Sequence, residues 1–133
     1  MSKWHVDAGL AVLIGQMQAR YKGIIIGTIG DAAHAGRKSD HNPDPDGSVD
    51  AADFMIGKRF TVAEAHKIWR RLYNANDLRI KYVIWNRLIW EPIPGSKVKA
   101  NPKRYTGDDP HTDHLHISVD DAHHTNPLAK WKI

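Results

Sequence analysis

The most constraining stretch of this sequence is His114-Leu115-His116-Ile117-Ser118-Val119, in which polar and apolar residues alternate. A period of two predicts a half-buried β-strand, whose apolar row packs on a core while the polar row lies on the opposite face. His114 and His116 then share that polar face. One strand therefore presents two imidazoles side by side, which makes this stretch a candidate half of a metal site.

A second stretch, residues 49–55, supplies a carboxylate. A strand there would put Asp53 in a row of apolar side chains, where a charge is costly unless a bound cation neutralises it. Together with His41 and His116, Asp53 gives two imidazoles and one carboxylate. That is the three-ligand set of a catalytic zinc whose fourth position is left for water. The sequence contains no cysteine, so thiolate sites are excluded.

The rest of the pattern predicts one α+β domain over residues 1–133. A composition of 41% hydrophobic and 26% charged residues is that of a globular protein. One amphipathic helix is predicted between an Asp7 cap and Gly23, and a second after the capping-box sequence 61–64. Asn86-Arg87 is typical of a tight hairpin turn. We expect a small, mostly antiparallel sheet with the helices packed on one side and a zinc site on the open face.

Charge is unevenly spread along the chain. Residues 58–104 contain 12 lysines and arginines against Glu64, Asp77 and Glu91, within a net charge of +4. A basic surface attracts polyanions such as nucleic acid or the anionic polymers of a bacterial wall, although a solvated lysine face is an equal alternative. No apolar run approaches the ~20 residues of a membrane span, and the N-terminus lacks a secretory pattern. We expect a protein made and kept in the cytoplasm unless another factor releases it.

Three short motifs carry a family resemblance: Ser39-x-His41, Ala51-x-Asp53 and Asp113-x-x-His116. They resemble the zinc peptidases that include D-alanyl-D-alanine carboxypeptidases, phage peptidoglycan endopeptidases and the zinc-bearing domain of Hedgehog. The resemblance covers residues 24–120 and is closest to the peptidase domains of lysins from phages of actinobacteria. It implies one catalytic Zn²⁺ held by His41, Asp53 and His116, and hydrolysis of a peptide bond in peptidoglycan stem peptides or cross-links, as an endopeptidase or a carboxypeptidase.

The same resemblance suggests roles for further residues. Asp113 lies where the family has its general base, which takes a proton from the attacking water. His114 would stabilise the oxyanion beside the metal, and Ser39 would orient a ligand or loop. Arg37 and Trp85 are candidates for substrate binding. We expect a monomer that binds peptidoglycan, with no nucleic acid partner and no membrane segment.

Two departures from the family pattern leave questions open. An apparent insertion, residues 43–47, lengthens the spacing between His41 and the ligand aspartate, so that Asp50 is an alternative to Asp53. The Ala-x-Asp match favours Asp53. Many family members also have glutamate at the base position, and Asp113 is one methylene shorter.

The inserted loop also has a calcium-loop pattern. Its positions 1, 3, 5, 6, 8, 9 and 12 are Asn42, Asp44, Asp46, Gly47, Val49, Asp50 and Asp53. Pro43 and Pro45 forbid a helix leading into it, and position 12 normally requires glutamate for bidentate chelation. A secondary ion site in this loop is the remaining possibility.

Two other functions fit the residues. A metal-dependent nuclease would use the same ligands, the basic surface, and Trp85, Trp90 and Tyr105 to stack bases. Both tryptophans lie in the predicted hairpin, where aromatic residues more often pack across strands or in the core. A non-catalytic zinc-binding module is the third hypothesis, and in it Asp113 would be misplaced for proton transfer.

Overall fold

In a computed structural model of the protein, the structure describes residues 4–28, 42, 47–120 and 126–133. The helices within these ranges are α1 (Ala8–Arg20) and α2 (Val62–Ala75). The strands are β1 (His5–Val6), β2 (Ile26–Gly27), β3 (Ser48–Val49), β4 (Ala51–Met55), β5 (Ile80–Trp85), β6 (Leu88–Trp90), β7 (Lys103–Arg104) and β8 (His114–Val119). Neither helix has the length and apolar character that crossing a bilayer requires.

Six of these strands form one antiparallel sheet in the order β2-β4-β8-β5-β6-β7. The strands β1 and β3 form a separate parallel pair. The predicted α+β class with a mostly antiparallel sheet is confirmed. β8 lies inside the large sheet, between β4 and β5, so the strand with the two histidines has a partner on each side.

The pairing register decides which side chains share a face. Asp53 is opposite His116, and Ile84 of β5 is opposite His116 on the other side. Directly opposed residues point to the same face of a sheet, and so do alternate residues of one strand. We call this side, with Asp53, His114, His116 and Ser118, the histidine face.

The other side of the sheet is the hydrophobic core. Its buried cluster combines side chains of α1, α2 and the sheet, including Leu13, Met17, Ile68, Leu72, Phe54, Leu115 and Ile117. Both helices therefore pack on the side away from the histidines, as predicted. The histidine face is nevertheless not open to solvent, because His114 and His116 are only 7% and 6% exposed.

Both helices begin at the predicted caps. The Asp7 carboxylate accepts a hydrogen bond from the Leu10 N–H at 3.0 Å, and Thr61 Oγ1 accepts one from the Glu64 N–H at 3.3 Å. Glu64 also accepts a hydrogen bond from the Tyr21 hydroxyl at 2.7 Å. The side chain at the third position of α2 thus ties this helix to the end of α1.

The hairpin was predicted correctly, and two strand predictions need correction. Asn86 and Arg87 have φ angles of 50° and 69°, as a type I′ turn between β5 and β6 requires. The strand expected over residues 49–55 is two strands, because the chain leaves its pairing with β1 and joins the large sheet at Asp50. The short β-branched run 24–29, bounded by Gly23 and Gly30, also predicts a strand, but the strand that forms there is only β2, and residue 29 lies outside the described residues.

The C-terminal segment is fixed by one buried arginine. All three guanidinium nitrogens of Arg79 donate hydrogen bonds, to both carboxylate oxygens of Asp77 and to the carbonyl oxygens of Pro127 and Ala129. The guanidinium carbon lies 3.7 Å from the ring centroid of Trp131. We call this group the arginine clasp. It holds residues 126–133 against the end of β5, and nothing in the sequence pattern predicted it.

Candidate metal centre

The centre of the candidate site is a contact between two neighbouring strands. His116 Nδ1 of β8 lies 2.8 Å from Asp53 Oδ1 of β4. Because the two residues are directly opposed in the sheet, the pairing register places their side chains next to each other on one face. Zinc binds imidazole nitrogen and carboxylate oxygen at about 2.0–2.2 Å, so two atoms this close can contact one ion.

The second ring nitrogen of His116 is also engaged. His116 Nε2 lies 2.9 Å from Ser118 Oγ, two residues along the same strand face. A neutral imidazole has one N–H, which can serve Ser118 or Asp53 but not both. When it is donated to Ser118, a lone pair on Nδ1 faces a carboxylate oxygen, and a cation relieves that repulsion. Metal-binding histidines typically have this arrangement, so Asp53 and His116 fit a metal.

His114 lies beside the pair and faces two further carboxylates. Its Nδ1 lies 2.6 Å from Asp113 Oδ1, while its Nε2 lies 3.7 Å from Asp53 Oδ1 and 3.8 Å from Asp109 Oδ2. The side chain of Asp113 is 77% exposed, whereas His114 is nearly buried. Asp113 thus fixes the orientation of the imidazole from the solvent side.

Two residues of the preceding loop complete the cluster, and the sequence analysis gave neither of them a role. Asp109, His111 and His114 each place one ligand atom within 4.8 Å of the other two, so this group could hold a metal ion. The His111 ring lies 4.6 Å from that of His114 and 5.5 Å from that of His116, centroid to centroid. The available sequence signal was a third histidine in the His111-x-x-His114-x-His116 spacing.

Burial governs the charge of His111. Desolvation lowers the pKa of His111 below its ordinary value, and the neighbouring imidazoles of His116 and His114 lower it further. A hydrogen bond with the backbone of Asp109 opposes this effect. His111 is therefore neutral at pH 7, and the neutral imidazole is the form that binds metals.

Aromatic rings close two sides of the cluster. Tyr82 of β5 stacks on His116 with the ring planes 9° apart, and Tyr105 meets His111 edge to face. Each contact restricts how an imidazole can turn. The sequence analysis considered Tyr105 only as a base-stacking residue and did not identify Tyr82.

Several predicted site residues cannot be placed. The predicted ligand His41 and the predicted residues Arg37 and Ser39 lie outside the described residues, as do Asp44 and Asp46 of the calcium-loop pattern. Of the two alternative aspartates, Asp53 is the one opposite His116. Asp50 instead accepts a hydrogen bond from the Ser48 hydroxyl at 2.7 Å and is buried.

Trp85 does not lie on the face of the sheet that carries His114 and His116. It belongs to the core cluster on the helix side of the sheet and is 3% exposed, and its indole N–H donates a hydrogen bond to His66 Nδ1 at 2.9 Å. Trp90 is also fully buried in that cluster. The substrate-groove interpretation of Trp85 is therefore corrected to core packing, because alternation along β5 turns residue 85 away from the face of residue 84.

Comparison with known proteins identifies a family. The family model described as "VldE, C-terminal domain" matches residues 5–116, which is most of the chain and includes Asp53, His114 and His116. No curated protein and no solved structure matches the chain. The chain belongs to the VldE C-terminal domain family, and that description names a domain rather than a reaction.

Proposed function

We propose that this member of the VldE C-terminal domain family is a zinc-dependent peptidase that hydrolyses a peptide bond in the stem peptides or cross-links of bacterial peptidoglycan. The observation that carries the proposal is the 2.8 Å distance between His116 Nδ1 and Asp53 Oδ1. The motif resemblance had named these two residues as zinc ligands. The peptidoglycan assignment depends on that resemblance.

Asp53 and His116 would hold the ion, together with His41 from outside the described residues. Bound zinc supplies a Lewis acid and a water activated near neutral pH. Ser118 keeps the His116 ring oriented by bonding the nitrogen that faces away from Asp53. Tyr82 stacks against the face of the same ring, so the proposed ligand is held by both a hydrogen bond and a packed surface.

Proton transfer falls to Asp113 and His114. Asp113 is exposed enough to meet a substrate and lies 2.6 Å from His114 Nδ1. It can accept a proton from the attacking water and release it to the leaving amine. His114 Nδ1 holds the Asp113 carboxylate in place, and His114 Nε2 lies 3.7 Å from Asp53 Oδ1, beside the proposed ion.

The substrate class is supported by charge as well as by the motifs. The basic segment 58–104 includes β7, and the Arg87 N–H of this segment donates a hydrogen bond to the carbonyl oxygen of Pro110, next to His111. Anionic wall polymers would be attracted to such a surface. The nuclease alternative is weakened, because Trp85 and Trp90 are buried in the core and only Tyr105 of the three stacking candidates adjoins the site.

The test is an incubation of the purified protein with cell walls and, separately, with plasmid DNA, each with and without a chelator. We expect peptide fragments from the walls, loss of that release with chelator, its return after zinc is added, and intact DNA. Mass spectrometry of fragments from defined muropeptides identifies the bond. Wall hydrolysis that is indifferent to chelation, or cleavage of DNA alone, would contradict the proposal.

A further inference from the structure

We propose that Asp109, His111 and His114 form a second divalent-cation site, next to the zinc site proposed at Asp53 and His116. The three residues each offer a ligand atom, and these atoms lie within 4.8 Å of one another. Two of the three side chains are buried. This inference adds to the proposed metal centre, but it concerns cation binding and does not require peptidase activity.

The hydrogen bonds leave one ring nitrogen of each histidine available as a ligand. His111 Nδ1 lies 2.7 Å from the backbone carbonyl oxygen of Asp109, which can only accept, so Nδ1 carries the proton and Nε2 has the lone pair. His114 Nδ1 is engaged in the same way by Asp113 Oδ1. An outer N–H bonded to a carbonyl or carboxylate oxygen is the usual support of a metal-binding histidine.

The two carboxylate oxygens of Asp109 also have different contacts. Its Oδ1 accepts a hydrogen bond from the His111 N–H at 2.9 Å, and its Oδ2 lies 3.8 Å from His114 Nε2. One oxygen therefore fixes the loop while the other faces an imidazole nitrogen. This places one carboxylate oxygen and two imidazole nitrogens together, a donor set that suits Zn²⁺ or Mn²⁺.

The backbone of His111 supports a functional interpretation. His111 has a φ angle of 54°, in the left-handed region that L side chains rarely adopt. This conformation favours glycine, yet position 111 has a histidine, whose ring is buried against His114 and His116. Conformations of this kind persist where the surrounding structure requires the side chain, and they cluster at ligand sites.

Two ions are more consistent with these contacts than one. Asp53 and His116 are fixed by the sheet, whereas Asp109 and His111 belong to the loop before β8. His114 Nε2 lies between the two groups, 3.7 Å from Asp53 Oδ1 and 3.8 Å from Asp109 Oδ2. Paired cations in hydrolytic enzymes hold and polarise the same substrate from two sides, and adjacent sites of this kind would do so here.

The test is a count of bound Zn²⁺ without any substrate. The full chain is stripped with a chelator, dialysed against free Zn²⁺ and analysed for zinc per chain by elemental analysis. We expect two ions in the wild type and in the exposed control variant His5→Ala, and one ion in both His111→Ala and Asp109→Asn. The latter keeps the shape of the side chain, so it separates ligand loss from misfolding, and thermal unfolding by circular dichroism checks each variant.

The outcomes separate this inference from the proposed activity. A wild-type chain that binds one ion, or His111→Ala and Asp109→Asn chains that both keep two, overturns the second site even if wall hydrolysis is observed. Two ions in the wild type and one in both variants support it even if no wall hydrolysis is found. Asp53→Ala should also bind one ion, and combining it with His111→Ala should leave none.

Discussion

The arginine clasp and the metal centre are both polar clusters that join distant parts of the chain, and they differ in how their atoms are paired. In the clasp, each Arg79 nitrogen donates to an oxygen acceptor, and the charge of Asp77 balances that of the guanidinium. In the metal centre, Asp53 Oδ1 lies 2.8 Å from His116 Nδ1 and 3.7 Å from His114 Nε2, and each imidazole has one nitrogen that can accept when it is neutral.

This contrast distinguishes a structural cluster from a candidate functional one. The clasp needs nothing beyond the chain to satisfy its hydrogen bonds, so burial costs it little. The metal centre collects carboxylate oxygens and imidazole nitrogens, which are ligand atoms that a divalent cation prefers. The first arrangement stabilises a fold, and the second is the one for which we propose cation binding.

The largest expected effect tests the metal centre directly. Replacing His116 by alanine removes a ligand atom opposite Asp53, so we expect zinc per chain to fall by one and wall hydrolysis to drop to background. Removing a supporting group alone typically costs about 10–100-fold in metal affinity, and loss of a ligand should exceed this. Elemental analysis after dialysis is the measurement. A zinc content equal to that of the wild type in His116→Ala would contradict the proposed ligand role of His116, and with it the contrast with the arginine clasp.

Asp113→Asn should separate metal binding from proton transfer. The amide keeps the shape of the side chain but cannot accept a proton, and general bases contribute about 10²–10⁴-fold to rates. We expect a folded chain with unchanged zinc content and a loss of wall hydrolysis of that size. Asp108→Asn, at an exposed position of the same loop, is the matched control. Equal wall hydrolysis in the two variants would show that Asp113 is not the general base, and absence of hydrolysis in the wild type as well would argue for a non-catalytic zinc module.

The clasp should affect stability and leave metal binding intact. Arg79→Ala strands a partly buried Asp77 and removes the contact with Trp131, and breaking a buried ion pair typically costs about 3–5 kcal/mol. We expect a loss in the free energy of unfolding near the lower value, measured with urea, at unchanged zinc content. Arg70→Ala, at an exposed position of α2, is the control. A loss of zinc in Arg79→Ala at temperatures where it is folded would show that the two clusters are coupled.

Ser118→Ala probes the support of one ligand. Without the hydroxyl, the imidazole of His116 loses the partner of Nε2, and zinc affinity should fall by about 10–100-fold while the fold persists. Competition with a chromogenic chelator measures this. Affinity equal to that of the wild type would mean that other contacts of the ring, such as the packing against Tyr82, are enough to orient it.

The smallest effect concerns a second structural contact, between Tyr21 and Glu64. Burial, followed by the hydrogen bond to Glu64, raises the pKa of Tyr21 to about 12. The folded state therefore keeps the Tyr21 proton above pH 10, where the unfolded state releases it. The contribution of Tyr21 to the free energy of unfolding is complete below pH 10 and is lost as the pH rises from 10 to 12. Tyr21→Phe should lower stability at pH 7 by about 1 kcal/mol and flatten this alkaline decline in urea unfolding.

Local sequence signals correctly predicted the structural features that depend on a single segment of the chain. The alternation in β8 gave the face of His114 and His116, the caps gave both helices, and Asn86 gave the hairpin turn. Each rests on contacts within a few residues, where the intrinsic preferences of side chains decide the backbone.

The remaining features depend on the register between segments. The face on which Trp85 lies follows from how β5 pairs with β8, and the hairpin sequence is compatible with either face. Asp109 and His111 lie in an irregular loop without periodicity, so only its path past His114 reveals them. The clasp joins Arg79 to Pro127 and Ala129, far along the chain, and their backbone carbonyls carry no sequence signature at all.

The position of β8 has a consequence for biosynthesis. Among the described strands it is the last to be translated, yet it inserts between β4 and β5. Until the ribosome has released residue 119, those two strands have unpaired edges on the sides that β8 will occupy, and Asp53 has no imidazole across from it. The nascent polypeptide therefore acquires its central strand and the imidazole opposite Asp53 in the same event, and the proposed metal site cannot form before it.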